Sequence, residues 1–352
     1  MKRTISNVDR REKMALDIWR KIKQENINNL YLLYGKETYL LNETKKLLIS
    51  HGLKNEEREF NLSTYNLEET PIEAGIEDAE TYPFFGDKKI VIFNNPTFLT
   101  SEKSKIEHDL KKLESFINQP ADFSIIVFYA PYEKLDERKK LTKLLKKKAE
   151  LLVANTLTEQ ELQKWIVERA ESFQVLIQNE AVEEMLRLVG TNLMLLTTEI
   201  DKLALYVGPG GNISHETVTL LVARTLEQNI FTLIDFIVQR KPAEAMQILF
   251  DLIEQKEEPI KILSLVSNQF RLIYQVKELA RQGYNQQKIS SIIKVHPYRV
   301  KLAAGQAKLF GDQELKGIIG QLAEADYNMK VGNVDKQLIL ELFIMSLQEQ
   351  IH

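Results

Sequence analysis

The chain has 352 residues, 44% of them hydrophobic, enough to bury the cores of two or three domains. Lys and Arg total 47 against 50 Asp and Glu, a net charge of −3 that argues against a free-standing nucleic-acid binder with a dominating basic field. Cysteine is absent, which excludes disulfides and thiolate metal sites and fits a reducing cytoplasm; no apolar run approaches the ~20 residues a bilayer span requires, so no membrane partner is expected.

The first thirteen residues, rich in Lys, Arg, Asp and Asn, lack the apolar core of a secretory signal. They read as a disordered leader, with Met14 an alternative start. The next part alternates short β-rich runs with helical patterns. Leu30–Tyr34 reads as a strand, followed by a turn at Gly35 and a helix through about Ser50. Residues 59–62 read as a weaker strand, 71–82 as a helix, 88–93 as a buried strand, 102–117 as a helix and 124–129 as a further strand. This order predicts an α/β unit with a mainly parallel sheet, ending near residue 150.

From about Thr156 strand-like runs vanish, and apolar residues recur at three- and four-residue spacing. Thr158 with Glu161 forms a capping box before a helix over 162–173, and Asn179 with Glu183 opens a helix over 181–189. Gly190 marks a break, residues 194–207 form a further helix, and the Gly-Pro-Gly-Gly run at 208–211 is a turn no helix crosses. Ser214 caps a short helix to about Ala223, closing a small helical domain near Arg224. Amphipathic helices then follow over 230–239, 242–255, 259–282, 285–293, 297–310, 312–329 and 335–350. Pro242, Pro259 and Pro297 stand where a first helical turn tolerates a missing N–H. The domains expected are 1–155, 156–225 and 226–352, the last a helical bundle or collar.

A strand, a glycine turn and a helix are the setting of a phosphate-binding loop, which needs curled backbone amides and a Gly-Lys-Ser/Thr end. Here the run is Gly35-Lys36-Glu37-Thr38-Tyr39-Leu40. The second glycine is missing, bulky residues fill the turn, and Glu37 would repel phosphate. The strand over 88–93 ends in Asn94-Asn95-Pro96 and that over 124–129 in Ala130-Pro131, so neither presents an Asp-Glu pair for magnesium. The five histidines, at 51, 108, 215, 296 and 352, are isolated and read as surface or cap residues. Glu68-Glu69 and Glu77-Asp78 read as solvated helix faces. No catalytic residue, cofactor or metal ligand is expected.

Two surface features remain. Pro83-Phe84-Phe85-Gly86-Asp87 sets two large aromatics in a turn, where they either fold back onto the sheet or protrude as a plug for a partner. The basic run 138–148 places Leu141, Leu144 and Leu145 on one helix face and fans its lysines over the rest. Lys139, Lys140, Lys143 and Lys147 there serve either as a solvated face or as contacts to DNA phosphates or an acidic subunit.

Several stretches together resemble the delta subunit of the bacterial DNA polymerase III clamp loader, from about Asn29 to the C-terminus. They are Leu32-Leu33-Tyr34-Gly35-Lys36-Glu37 with Tyr39-Leu40; residues 83–91; Glu199-Ile200-Asp201-Lys202-Leu203; His296-Pro297-Tyr298-Arg299-Val300; and Leu322-Ala323-Glu324-Ala325-Asp326 with Lys330 and Gly332. The resemblance implies an AAA+-like α/β domain with a degenerate phosphate loop, a helical lid and a helical collar that joins five loader subunits. It also implies a subunit without ATP that inserts a hydrophobic pair, here Phe84 and Phe85 beside Pro83, into the sliding clamp (beta) and opens it. The implied partners are the tau/gamma and delta prime subunits and primed DNA. The chain departs from the family in having Phe84 where leucine is frequent, and Val331 where a small hydroxyl residue is common. That leaves Asp326 and Lys330 as an i,i+4 pair. Two other readings stay open: an ATP-hydrolysing AAA+ subunit, and a replication protein binding DNA through 139–148.

Overall fold

The structure is a computed structural model that describes residues 15–84, 86–239, 241–332 and 334–350. The expected leader, Met14, Phe85 and His352 lie outside the described residues. The chain divides into two compact units that meet in sequence at Thr156 and Leu157.

The first unit runs α1 (Ala15–Lys23), β1 (Leu30–Tyr34), α2 (Thr38–Gly52), α3 (Arg58–Asn61), β2 (Leu62–Asn66), α4 (Ile72–Glu80), β3 (Lys89–Asn94), α5 (Leu110–Asn118), β4 (Ser124–Ala130), α6 (Lys140–Lys148) and β5 (Glu150–Val153). All five strands are parallel, in the order β2-β3-β4-β1-β5, with Leu32 between Phe128 and Leu151. Both faces of a parallel sheet need cover, so β1 reads as an unbroken apolar run. Leu32, Val91, Phe93, Ile126 and Phe128 share one core with Ile72, Ile76, Leu113, Phe116, Leu141 and Leu145 of α4, α5 and α6. On the opposite face Gly52, at the end of α2, lies so close to Ile90 and Ile125 that a Cβ would stand 3.0 Å from Ile90 Cδ1.

Two readings of this unit are corrected, and two elements come in addition. Residues 58–61 are a helical turn rather than a strand, and β2 begins at Leu62, on the edge of the sheet. The helix expected over 102–117 begins only at Leu110. Ahead of it side chains take the backbone's hydrogen bonds: Thr100 Oγ1 accepts the Glu102 amide at 3.1 Å, and Asp109 accepts the amides of Lys111 and Lys112. The strand β5 lies beyond the expected sheet, and α1 was not anticipated. That helix is anchored by Trp19, whose indole Nε1 donates to the buried Thr44 Oγ1 at 2.7 Å.

The second unit runs α7 (Glu159–Glu171), β6 (Leu176–Ile177), α8 (Asn179–Val189), α9 (Leu193–Val207), β7 (Asn212–Ile213), α10 (His215–Leu221), α11 (Leu226–Val238), α12 (Pro242–Glu254), α13 (Pro259–Arg281), α14 (Gln286–Ile293), α15 (Pro297–Ala307), α16 (Asp312–Val331) and α17 (Lys336–Gln350). Thr158 and Glu161 form the capping box of α7, and prolines open α12, α13 and α15. Strand structure does not vanish here: β6 and β7 pair in parallel, two residues each, too short to leave an alternating pattern. Helix α8 begins at Asn179 itself, with Gln178 as N-cap. The long α13 is the spine of the C-terminal core, where Leu263, Val266, Phe270 and Ile273 meet residues of α11, α12, α15, α16 and α17.

Candidate functional site

The strand order brings β1 between β4 and β5, so the loop after β1 opens at the carboxyl edge of the sheet, where open α/β folds bind ligands. That loop is occupied by its own chain. Gly35 has φ +139°, and a Cβ there would fall 2.0 Å from the Ala154 carbonyl oxygen. The Glu37 amide donates to the same oxygen at 2.7 Å, and Glu37 Oε1 accepts the Tyr39 amide at 3.3 Å, capping α2. Burial pushes the Glu37 carboxyl above its ordinary range, against the opposing pull of the Tyr39 amide. Lys36 reaches away to Glu133 at 2.7 Å. Among the described residues no cluster of His, Asp and Glu suits a metal ion, and no helix is long and apolar enough to cross a membrane.

The aromatic turn lies on the same unit, between α4 and β3. Phe84 is 71% exposed and Tyr82 78%, while Pro83 is half-buried. The Phe84 amide donates to Oδ1 of the buried Asn61 at 3.0 Å, and its ring lies against that of Phe60 with centroids 5.5 Å apart. Phe60 is itself 51% exposed. Tyr82 stacks on Phe123 at 4.6 Å. Below the turn, buried Lys89 donates to Asp78 Oδ1 at 2.7 Å and to the Asp78 carbonyl at 2.9 Å, locking the start of β3 to α4. Sequence reasoning did not mark Phe60, Asn61 or Tyr82. The one signal for Phe60 was a lone aromatic among charged residues.

The basic helix is less uniform than its sequence. Lys139 Nζ donates to the Phe98 carbonyl at 2.9 Å, Lys140 pairs with Glu114 at 2.6 Å, and Lys146 meets both Glu137 and the Tyr34 hydroxyl. Lys143 and Lys147 are exposed, and no carboxylate among the described residues is within ion-pair reach of either. Lys147 borders a hollow of about 440 Å³ with Asn28, Asn29 and Asn118.

The remaining motif residues lie in the second unit. Asp201 takes a two-pronged bond from Arg169, at 2.7 and 2.6 Å, and Lys330 pairs with Asp326 at 2.8 Å. His296 caps α15 by accepting the Tyr298 amide on Nδ1, and its Nε2 donates to the Leu157 carbonyl at 2.6 Å. His108 is no surface residue either: it is half-buried, accepts the Ile72 amide on Nδ1 and meets Ser104 through Nε2. With Nδ1 accepting the Ile72 amide, the neutral ring carries its proton on Nε2, toward Ser104 Oγ.

The solved DNA clamp loader delta protein (YqeN) of Bacillus subtilis superposes with a TM-score of 0.88 at 50% identity, covering 96% of this chain and all of that one. Residues 31–155 match the family described as DNA polymerase III, delta subunit, residues 227–347 its C-terminal domain, and residues 158–220 a middle-domain family. DNA polymerase III subunit delta of Bacillus subtilis is 51% identical over 336 residues, 95% of this chain and 97% of that protein. A probable subunit delta of Aquifex aeolicus is 22% identical over 324 residues, 91% of each chain. The chain belongs to the DNA polymerase III delta subunit family.

Proposed function

We propose that this chain grips a ring-shaped sliding clamp and opens it for loading onto primed DNA, as a non-catalytic clamp-loader subunit of the cytoplasm that binds no ATP itself. The observation that carries the reading is Phe84, a large apolar ring left 71% exposed on a turn. Burying such a ring in a partner's apolar pocket contributes roughly 1.5–3 kcal/mol. In this reading Phe84 and Phe85, beside Pro83, fill a pocket on the clamp. If they bind an opened ring more tightly than a closed one, the ring's equilibrium shifts by that difference in affinity.

The first turn of α2 supports the absence of ATP, since a phosphate there would meet the Glu37 carboxylate already seated on a backbone amide. Residues 1–155 then serve as an AAA+-like clamp-binding domain, 156–225 as a lid, and 226–352 as the collar that joins the tau/gamma and delta prime subunits. Leu338, Leu342 and Met345, exposed at i, i+4 and i+7 along α17, suit such a collar contact. Of the four lysines singled out in the basic run, Lys143 and Lys147 are the ones free to meet DNA phosphates or an acidic subunit, whereas Lys139 and Lys140 are held by their own chain.

The test is the affinity of the full-length chain for purified sliding clamp. Replacing both Phe84 and Phe85 by Ala should weaken it by about 30- to 1000-fold. Unchanged affinity in a folded double variant excludes the docking role. A labelled ATP analogue should show no saturable binding; saturation would favour an ATP-hydrolysing subunit.

A further inference from the structure

Residues 55–61, of which 59–61 read from sequence as strand, form a 3-10 turn (Asn55–Glu57) running directly into α3. Three of its side chains converge on the turn at 83–87. Asn61, fully buried, offers Oδ1 to the Phe84 amide at 3.0 Å. Phe60, its neighbour, lays its ring on that of Phe84. Glu57 closes on Gly86, whose φ is +74°, and a Cβ at Gly86 would fall 2.4 Å from Glu57 Oε1. Glu57 is in turn anchored, because its Oε2 accepts the Lys54 amide at 3.0 Å.

We infer that Glu57, Phe60 and Asn61 are the mount of the docking turn, positioning residues that hold Phe84 in its exposed geometry before the clamp arrives. The inference rests on the docking reading of Phe84. A loop that carries a binding side chain must be ordered when it binds, and the entropy lost is subtracted from affinity; a loop already held loses less. Bonding one side of the turn to a buried amide, backing one ring with another and fitting a glycine against a fixed carboxylate leaves few conformations open to Phe84. A half-exposed Phe60 is a weak contributor to its own domain's core. As a backing ring it lies against Phe84 at a centroid distance of 5.5 Å, and such aromatic pairs prefer defined geometries.

The experiment compares full-length F60A, F60L, N61A, F84A and F60A/F84A for affinity to purified sliding clamp, with amide exchange of Phe84 followed in the free chain. F60A should weaken binding by about 2- to 12-fold, the range an aromatic pair commands. F60L, which keeps apolar bulk but not the ring pairing, should recover only part of that loss. In the F84A background F60A should add nothing, because Phe60 acts through Phe84. N61A should speed exchange of the Phe84 amide, and since Asn61 is buried and its loss risks unfolding, F60A on an exposed side chain carries the decision. Affinity unchanged in F60A, or its full effect persisting in F84A as a direct contact would give, overturns the mount. F84A at wild-type affinity removes the docking reading and the mount with it, whereas a weakened F84A beside an unaffected F60A removes the mount alone.

Discussion

Glu37 Oε1 accepts the amide of Tyr39 at 3.3 Å, which seats a carboxylate where a nucleotide-binding α/β fold would seat a phosphate. Burial raises this carboxyl above its ordinary 4.5, so the folded chain binds its proton more tightly than the unfolded one. The group therefore favours folding most at acid pH, and that contribution is lost as pH rises through the raised value. Glu37→Gln keeps an acceptor oxygen and removes the buried charge. Its Tm at pH 7 is expected to rise, by no more than about 2–4 °C, which is what ~1 kcal/mol moves in a domain of this size. The gain should fade as the melts are repeated toward pH 4; a lower Tm at pH 7 would show that the helix N-terminus favours the charge more than burial opposes it.

Lys89 and Asp78 form a largely buried ion pair, with the lysine side chain 5% exposed and the carboxylate 21%. Burial pushes the Asp78 carboxyl up, but hydrogen bonds from Lys89 and Ser63, the Lys89 charge and the Tyr65 hydroxyl together hold it below its ordinary 3.8. Its contribution is present above that value and is lost as pH falls through the lower, folded one. Asp78→Ala leaves an ammonium buried with only the backbone carbonyl, at an expected cost of about 3–5 kcal/mol in urea unfolding at pH 7. Lys89→Met, which fills similar volume and leaves Asp78 partly in water, should cost less. Equal losses would mean that packing, not the stranded charge, sets the penalty.

Much of this architecture was legible because its signals are local and periodic. The unbroken apolar run of β1, the capping box of Thr158 and Glu161, and the three prolines that open helices each have one reading. What failed was decided by side chains competing with the backbone, or by pairing at a distance. Thr100 and Asp109 bond to nearby amides, so the helix expected from residue 102 waits until Leu110. Strand β5 is four residues long and is recognisable only through its register with β1. The mount of Phe84 escaped notice for the same reason: Asn61 and Phe84 are 23 residues apart, and nothing in either neighbourhood names the other.

His296 holds two backbone groups at once, the Tyr298 amide at 3.1 Å and the Leu157 carbonyl at 2.6 Å, an arrangement that needs the neutral ring. Burial lowers its pKa from the ordinary 6.5, against the raising influence of the Leu157 carbonyl and Glu159. The unfolded chain therefore takes up the proton first. Stability from this group is intact above pH ~6.5 and declines as pH falls below it toward the folded value. Denaturant titrations from pH 7.5 to 5 should show that decline in the wild type and a flatter profile in His296→Asn, which can still cap α15. His296→Ala should cost about 0.5–2 kcal/mol for the cap alone. An unchanged slope in His296→Asn would assign the acid sensitivity elsewhere, His108 being the other half-buried imidazole whose pKa is lowered.

The lysines singled out in the basic run divide into two kinds, and the division predicts how salt will act. Lys139 bonds to the Phe98 carbonyl and Lys140 pairs at the surface with Glu114, whereas Lys143 and Lys147, likewise exposed, have no carboxylate within ion-pair reach among the described residues. A lysine seated on a phosphate releases counterions from DNA, so removing one such lysine lowers the slope of log affinity against log salt by roughly 0.7–0.9. Reversing Lys143 and Lys147 to Glu in the assembled loader should weaken primed-DNA binding equally for all sequences and flatten that slope by about one to two. Lys140→Ala, whose charge is already matched by Glu114, should leave the slope near its original value. If the double reversal leaves the slope untouched, α6 faces water or an acidic subunit, and a change in loader assembly between wild type and variant would distinguish those two.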